Sequence, residues 1–252
     1  MTYSIGIDSG STATKGILLA DGVITRRFLV PTPFRPATAI TEAWETLREG
    51  LETTPFLTLT GYGRQLVDFA DKQVTEISCH GLGARFLEPA TRAVIDIGGQ
   101  DSKVIRLNED GSVKNFVMND KCAAGTGRFL EMMAKTMEMS LDELSQVGLS
   151  YQEYITISSM CTVFAESEVV SLIAQNKHTD DIVHGLNKAV AAKTASLVKR
   201  VGGEEAYMMT GGVAQNKGLV KTLEERLGTS LVISPKSQLC GALGAALFAA
   251  DM

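Results

Sequence analysis

Two stretches of this chain carry the same order of residues, and that order restricts the fold more than any other feature. Residues 5–22, IGIDSGSTATKGILLADG, align with residues 94–111, VIDIGGQDSKVIRLNEDG. Asp8 matches Asp96, and Lys15 matches Lys103, seven residues later in both copies. Ile17 and Leu19 match Ile105 and Leu107, and each copy closes on Asp-Gly. Each reads as an apolar strand, a glycine-rich turn, an alternating strand and a tight turn, which is a β-hairpin. Chance can produce such a match, but the shared order of acid, glycines, lysine, strand and turn points to duplication. With 252 residues the chain is long enough for two moderate domains. The repeat places them at 1–92 plus 237–252 and at 93–236, with similar topology and both hairpins facing one cleft.

The turns suit phosphate. Gly10 in the first copy and Gly98 and Gly99 in the second allow the backbone to approach an anion and donate N–H groups to it. Ser9, Ser11, Thr12 and Lys15, with Gln100 in the second copy, add polar side chains. Asp8 and Asp96, at the strand ends, can hold Mg²⁺ against the same phosphates, usually through water. Gln100 can orient an attacking water, as polar side chains do in other NTPases. The plainer alternative is two ordinary hairpins with solvated acids. Neither copy is the G-x-x-x-x-G-K-[ST] loop, so P-loop chemistry is not supported.

A third glycine turn lies in AYMMTGGVAQNKGLVKTLEERL, residues 206–227. An apolar strand runs into Thr210-Gly211-Gly212, and the spacing of Leu219, Val220, Leu223 and Leu227 predicts a helix after it. This order can set a nucleotide over a helix N-terminus, or it can be a simple tight turn. The tail at 237–251, SQLCGALGAALFAAD, reads as a helix of small residues able to pack closely on a neighbour.

Four cysteines in a chain this long do not make a disulfide scaffold; metal ligation, reactivity and plain burial stay open. Cys122 in NDKCAAGTGRFLE and Cys161 in SSMCTVFAESEVV each precede a helical pattern. Phe129, Leu130, Met133 and Met137 follow the first, and Val163, Val170 and Ile173 the second. A helix N-terminus favours a thiolate, so the two settings are chemically matched. Cys79 and Cys240 lie among small residues in SCHGLG and LCGALG and read as structural.

The net charge of −5 gives no reason to expect nucleic acid or an anionic membrane as a partner. The 44% hydrophobic and 21% charged content is that of an ordinary globular protein. No apolar run is long enough to span a bilayer, and no basic-then-apolar leader opens the chain, so a cytoplasmic location is expected.

The three glycine turns in this order resemble the superfamily of acetate kinase, sugar kinases, heat-shock ATPases and actin. GIDSGSTATKG is similar to its first phosphate motif, DIGGQDSK to its second and TGGVAQN to its adenosine motif. The cysteine segments narrow the likeness to the activator ATPases of 2-hydroxyacyl-CoA dehydratases, related to the ATPase subunits of benzoyl-CoA reductase. The resemblance covers essentially the whole chain. It implies an α/β fold of two ribonuclease H-like (actin-like ATPase) domains with mixed sheets and a nucleotide cleft between them. It also implies ATP/ADP and Mg²⁺ as ligands, and one [4Fe–4S] cluster shared by a homodimer with Cys122 and Cys161 as its ligands. A dehydratase-type iron–sulfur protein would be the partner and ferredoxin or flavodoxin the electron donor. Gly127 is placed near the nucleotide by the same likeness, with Gly211 and Gly212 at the adenosine and Gln238 close by. Two ligands per chain agree with the dimer, since a cubane takes four thiolates and a two-fold interface presents each patch twice.

Other readings stay in view. A small-molecule kinase of the same superfamily, with structural cysteines, would need a base near the substrate hydroxyl, and Asp101 in GGQDS could be misread as one. A non-enzymatic nucleotide-binding regulator would need neither base nor cluster. His80, His178 and His184 form no metal spacing and read as surface or satisfied polar residues. Residues 42–52, with Trp44, read as an amphipathic helix, and 177–200 as a turn and a long helix with a solvated face.

Overall fold

The computed structural model describes residues 1–158, 161–203 and 206–251. Strands β1 (Tyr3–Ser9), β2 (Ala13–Ala20) and β3 (Val23–Pro31) lead into α1 (Pro36–Arg48), β4 (Phe56–Thr60), β5 (Lys72–Gln73) and α2 (Glu76–Leu87). Then follow β6 (Ala93–Ile97), β7 (Ser102–Leu107) and β8 (Val113–Asn119), and the helices α3 (Gly127–Thr136), α4 (Leu141–Gln146), α5 (Thr162–Ala174) and α6 (Thr179–Val201). The chain closes with β9 (Tyr207–Thr210), α7 (Lys217–Leu227), β10 (Leu231–Ile233) and α8 (Cys240–Ala250).

The strands form two five-stranded mixed sheets, ordered β3-β2-β1-β4-β5 and β10-β9-β6-β7-β8. The duplicated hairpins are β1–β2 and β6–β7, both antiparallel, and each first strand pairs in parallel with a later one, β4 or β9. Read in chain order, the two sheets have the same topology. Asp8 pairs with Lys15 and Asp96 with Lys103 across the two ladders, so the matched residues occupy matched positions.

The helices cover the sheets for reasons legible in their residues. α1 turns Ile40, Ala43 and Leu47 onto Ile5, Ile7, Leu57 and Leu59 of the first sheet. α8 covers its other face. Gly6 of β1 lies against the Ala242 and Ala246 backbone with no space for a Cβ, so only a helix of small residues can dock there. The largest apolar cluster joins the second sheet to α3 and α6, around Ile95, Ile97, Phe129, Val190 and Met209.

Two expectations need correction. The first helix begins at Pro36 rather than 42, and ends at Arg48, because Glu49 leaves helical geometry and Gly50 takes a positive φ of 70°. The segment at 177–200 is a turn and a long helix, α6, but its solvated face is a narrow stripe that includes Ser196, Lys199 and Arg200, and most of the helix is buried. Asp181, His184, Asn187 and Thr194 are all buried within α6. Asp181 accepts the N–H groups of Gln152 and Glu153, and His184 stacks on Tyr151 at 3.5 Å. Among the described residues no helix is long and apolar enough to cross a membrane.

Candidate nucleotide cleft and cysteine loops

The carboxyl ends of β1 and β6 open into one cavity of about 690 Å³ between the sheets. Asp8, Gly10, Ser11, Thr12 and Lys15 line it from the first hairpin, and Asp96, Gly98, Gly99 and Gln100 from the second. Gly127, Gly211, Gly212 and Gln238 complete the expected set. Ser9 does not join them. It follows Asp8 on a strand, so its side chain takes the opposite face, buried where a Gly63 Cβ would stand. The two turns meet directly, for Thr12 Oγ1 occupies the space a Gly99 Cβ would need. Gly211 has φ 84° and presses on the Ile97 carbonyl, two separate reasons for glycine.

The duplicated ion pairs differ in what surrounds them. Lys15 lies 3.0 Å from Asp8 and remains at the cavity wall. Lys103 is buried and touches three carboxylates: Asp96 at 2.9 Å, Asp101 at 3.0 Å and Glu76 at 3.1 Å. An ammonium has three donors, so Lys103 is saturated, whereas Lys15 keeps donors for an incoming phosphate. Burial works to raise the Asp96 carboxyl, but His80, Lys103 and the Thr210 hydroxyl outweigh it and hold the group well below the usual carboxylate range. Burial likewise opposes charge on Lys103, and its three acids outweigh that and raise it well above its ordinary value. Glu76 moves the other way. Desolvation exceeds what its share of Lys103 returns, and its carboxyl is raised.

The cleft also takes residues that the glycine motifs do not announce, among them Tyr62, Arg64, Glu76, His80, Phe116, Leu141 and Asp142. His80 is not at the surface. It is buried, with Nδ1 3.0 Å from Thr210 Oγ1 and 3.3 Å from Asp96 Oδ1. A signal for part of this set stood in the chain: LTLTGYG at 57–63 matches YMMTGGV at 207–213. Both Thr-Gly pairs end a strand parallel to an acid-bearing one, with Thr60 opposite Asp8 and Thr210 opposite Asp96.

Cys122 and Cys161 are exposed, whereas Cys79 and Cys240 are buried. Desolvation pushes the Cys79 thiol up to about 12 and raises Cys240 well above its ordinary value, so neither is suited to serve as a thiolate ligand. Cys161 stands at the N-cap of α5 with extended backbone. Cys122 lies in the loop before α3, where Asn119 Nδ2 donates to the carbonyls of Cys122 at 2.8 Å and Ala124 at 3.2 Å. That loop connects to the cleft through the first turn of α3, where the N–H groups of Gly127 and Arg128 donate to the carbonyls of Gly98 and Gly99, each at 2.8 Å. Phe129, Leu130 and Met133 are buried as the pattern predicts, but Val163, Val170 and Ile173 of α5 face outward with Phe164. Among the described residues no group of three or more His, Cys, Asp or Glu within one chain is placed to hold a metal ion. Two exposed thiols, one at the N-cap of α5 and one in the loop before α3, have the chemistry of half of a four-thiolate site.

Two sheets of one topology, each with an acid next to the end of its first strand in chain order and both acids at a shared cleft, define an actin-like ATPase fold. Residues 5–249 match the BadF/BadG/BcrA/BcrD ATPase family, and the chain belongs to that family. It is similar to YjiL of Escherichia coli (strain K12), an uncharacterized protein, at 64% identity over 247 residues, covering 98% of this chain and 96% of that one. Component A of the Acidaminococcus fermentans (R)-2-hydroxyglutaryl-CoA dehydratase has a similar crystal structure, with a TM-score of 0.94 and 46% identity, covering 100% of this chain and 98% of that one. The activator of the 2-hydroxyisocaproyl-CoA dehydratase from Clostridium difficile, solved with bound ADPNP, gives a TM-score of 0.92 and 44% identity, covering 99% and 95%.

Proposed function

We propose that the protein hydrolyses ATP in the cleft and uses that cycle to activate a 2-hydroxyacyl-CoA dehydratase or a related reductase by electron transfer. Lys15, Ser11, Thr12 and the N–H groups around Gly98 and Gly99 bind the phosphates in this reading. Gly211, Gly212 and Gln238 lie on the adenosine side. Asp8 and Asp96 face the metal, usually through water, and Gln100 orients the attacking water. Bound Mg²⁺ supplies charge neutralisation at the phosphates. Cys122 and Cys161 of two copies hold a [4Fe–4S] cluster, which supplies a one-electron centre. Ferredoxin or flavodoxin is the donor, and the cytoplasm the compartment. The domains move as 1–92 plus 237–252 and 93–236, with α8 returning to the first sheet.

The observation that carries the coupling is the backbone link from Gly98 and Gly99 to Gly127 and Arg128. A change at the second phosphate turn moves the start of α3, and with it the loop that carries Cys122. The outward Val163, Phe164, Val170 and Ile173 beside Cys161 supply an apolar surface for a second copy. A kinase reading is less well supported, because the Asp101 carboxylate, although it lines the cavity, is paired with Lys103.

The test is anaerobic purification followed by iron analysis and a visible spectrum. A brown dimer with about four irons is expected, since one cubane serves two chains. A protein that stays colourless and iron-free after cluster reconstitution would return the chain to the kinase or regulator readings.

A further inference from the structure

The duplication reaches further than the hairpins and the Thr-Gly turns. The helix after the last strand of each sheet repeats too: Cys79-His80-Gly81-Leu82-Gly83-Ala84 in α2 matches Cys240-Gly241-Ala242-Leu243-Gly244-Ala245 in α8. These helices cross in close contact. Gly244 lies on the Cys79 backbone and Gly83 on the Cys240 carbonyl, and neither has room for a Cβ. At the crossing the halves part company, with histidine in one copy and glycine in the other. A Cβ on Gly241 would stand 2.9 Å from His80 Nε2 and 3.0 Å from Asp8 Oδ2. There is space for one side chain, and the imidazole of His80 fills it between the two acid-bearing strands.

The hydrogen bonds fix how the ring sits. Thr210 Oγ1 donates its single proton to Asp96 Oδ1 at 2.8 Å. His80 Nδ1, 3.0 Å from that hydroxyl, is therefore the donor, and Nε2 is left facing the Asp8 side. The other oxygen of Asp96 is held by Lys103, which also binds Glu76, one helical turn before His80 on α2. Both oxygens of Asp96 are thus tied to one face of the crossing helix.

We propose that His80 is a positioning residue for ATP hydrolysis, orienting the Asp96 carboxylate through Nδ1 and Thr210 and setting its spacing from Asp8. The proposal rests on reading the cleft as an ATP site. Asn at this position retains a donor near Nδ1, Gln places one near Nε2, and Ala removes both. His80→Ala should lower kcat for ATP about 10- to 100-fold, the scale on which a small misplacement of reacting groups acts. KM and ADP affinity should stay within about threefold, because the glycine turns that bind the phosphates are separate. His80→Asn should recover most of kcat and His80→Gln little. Gly241→Ala crowds both Nε2 and Asp8 Oδ2 without touching Asp96. It should lower kcat in the native background, and by a smaller factor in His80→Asn, where only the contact with Asp8 is left. This pair of variants decides the matter even if His80→Ala does not fold. Equal rescue by Asn and Gln, or an unchanged kcat in His80→Ala, overturns the role of Nδ1. Additive losses from Gly241→Ala and His80→Asn overturn the crossing. A native protein that neither binds nor hydrolyses ATP overturns the cleft reading itself, and this proposal with it.

Discussion

The first sheet and the second have the same five-strand topology, yet they carry different insertions between their third and fourth strands. In the first, residues 32–55 hold the single helix α1. In the second, residues 120–206 hold α3, α4, α5, α6 and both exposed cysteines. The shared part supplies the acids and glycine turns of the cleft; the unshared part adds Gly127, Leu141 and Asp142 to its lining and carries the exposed cysteines. The ion pairs repeat the lesson on a smaller scale. Lys15 keeps capacity for a ligand, while Lys103 is locked among three carboxylates and braces the structure. Duplication supplied two copies of one motif, and burial then assigned them different work.

The largest expected effect falls on the unshared part. In the proposed shared cluster Cys122→Ser or Cys161→Ser takes away two of four thiolates, so the iron content of anaerobically purified protein should fall to near zero. Nucleotide affinity should stay within about threefold, and Cys79→Ser with Cys240→Ser should keep the iron. A brown Cys122→Ser/Cys161→Ser double variant would break the division between the two pairs.

Next comes the matched pair of acids. Asp96→Asn strands Lys103, Thr210 and His80 in a buried network, and should cost about 3–5 kcal/mol in urea unfolding. Asp8→Asn, whose lysine stays at the cavity wall, should cost about 1–2 kcal/mol. Both should reduce ATP turnover about 100-fold if each carboxylate works on developing charge. Equal stability losses would show that the two halves are not energetically distinct.

The same asymmetry should appear in acid. Asp96 has a folded value below its unfolded one, so its contribution is complete above about pH 4 and is lost as pH falls toward the depressed folded value. Glu76 has the opposite sign: its raised folded value makes ionisation a cost that protonation relieves. Unfolding free energies at pH 7 and pH 3 should therefore fall less steeply in Asp96→Asn than in the native protein. A steeper fall in the variant would contradict the assignment.

The smallest effect tests the hidden Thr-Gly match. Gly61 and Gly211 have φ of 85° and 84°, and each packs against the neighbouring acid-bearing strand. Gly61→Ala and Gly211→Ala should each cost about 1–3 kcal/mol in thermal unfolding. A large loss in one alone would mean that the two turns are not equivalent.

The order of strands and turns was legible because hairpins, glycine turns and apolar periodicity are local. Asp8 with Lys15, Asp96 with Lys103, and Thr210-Gly211-Gly212 each belong to one short segment, and those segments converge on the cleft. The starts of α3 and α5 were readable for the same reason. The direction of the apolar residues of α5 was not, because periodicity says that they share a face and not whether the chain itself covers it. Ser9 was misplaced because its place beside glycine outweighed the alternation of a strand. His80 was invisible as a cleft residue, since its partner Thr210 lies 130 positions away and the space it fills exists only because Gly241 leaves it. Spacing along the chain determined which motifs this protein has. Tertiary packing decided the rest: Glu76 of α2 helps to enclose Lys103 while Lys15 stays at the cavity wall, and the crossing of α2 and α8 leaves space for the single side chain of His80, because only packing limits how many atoms one point can hold.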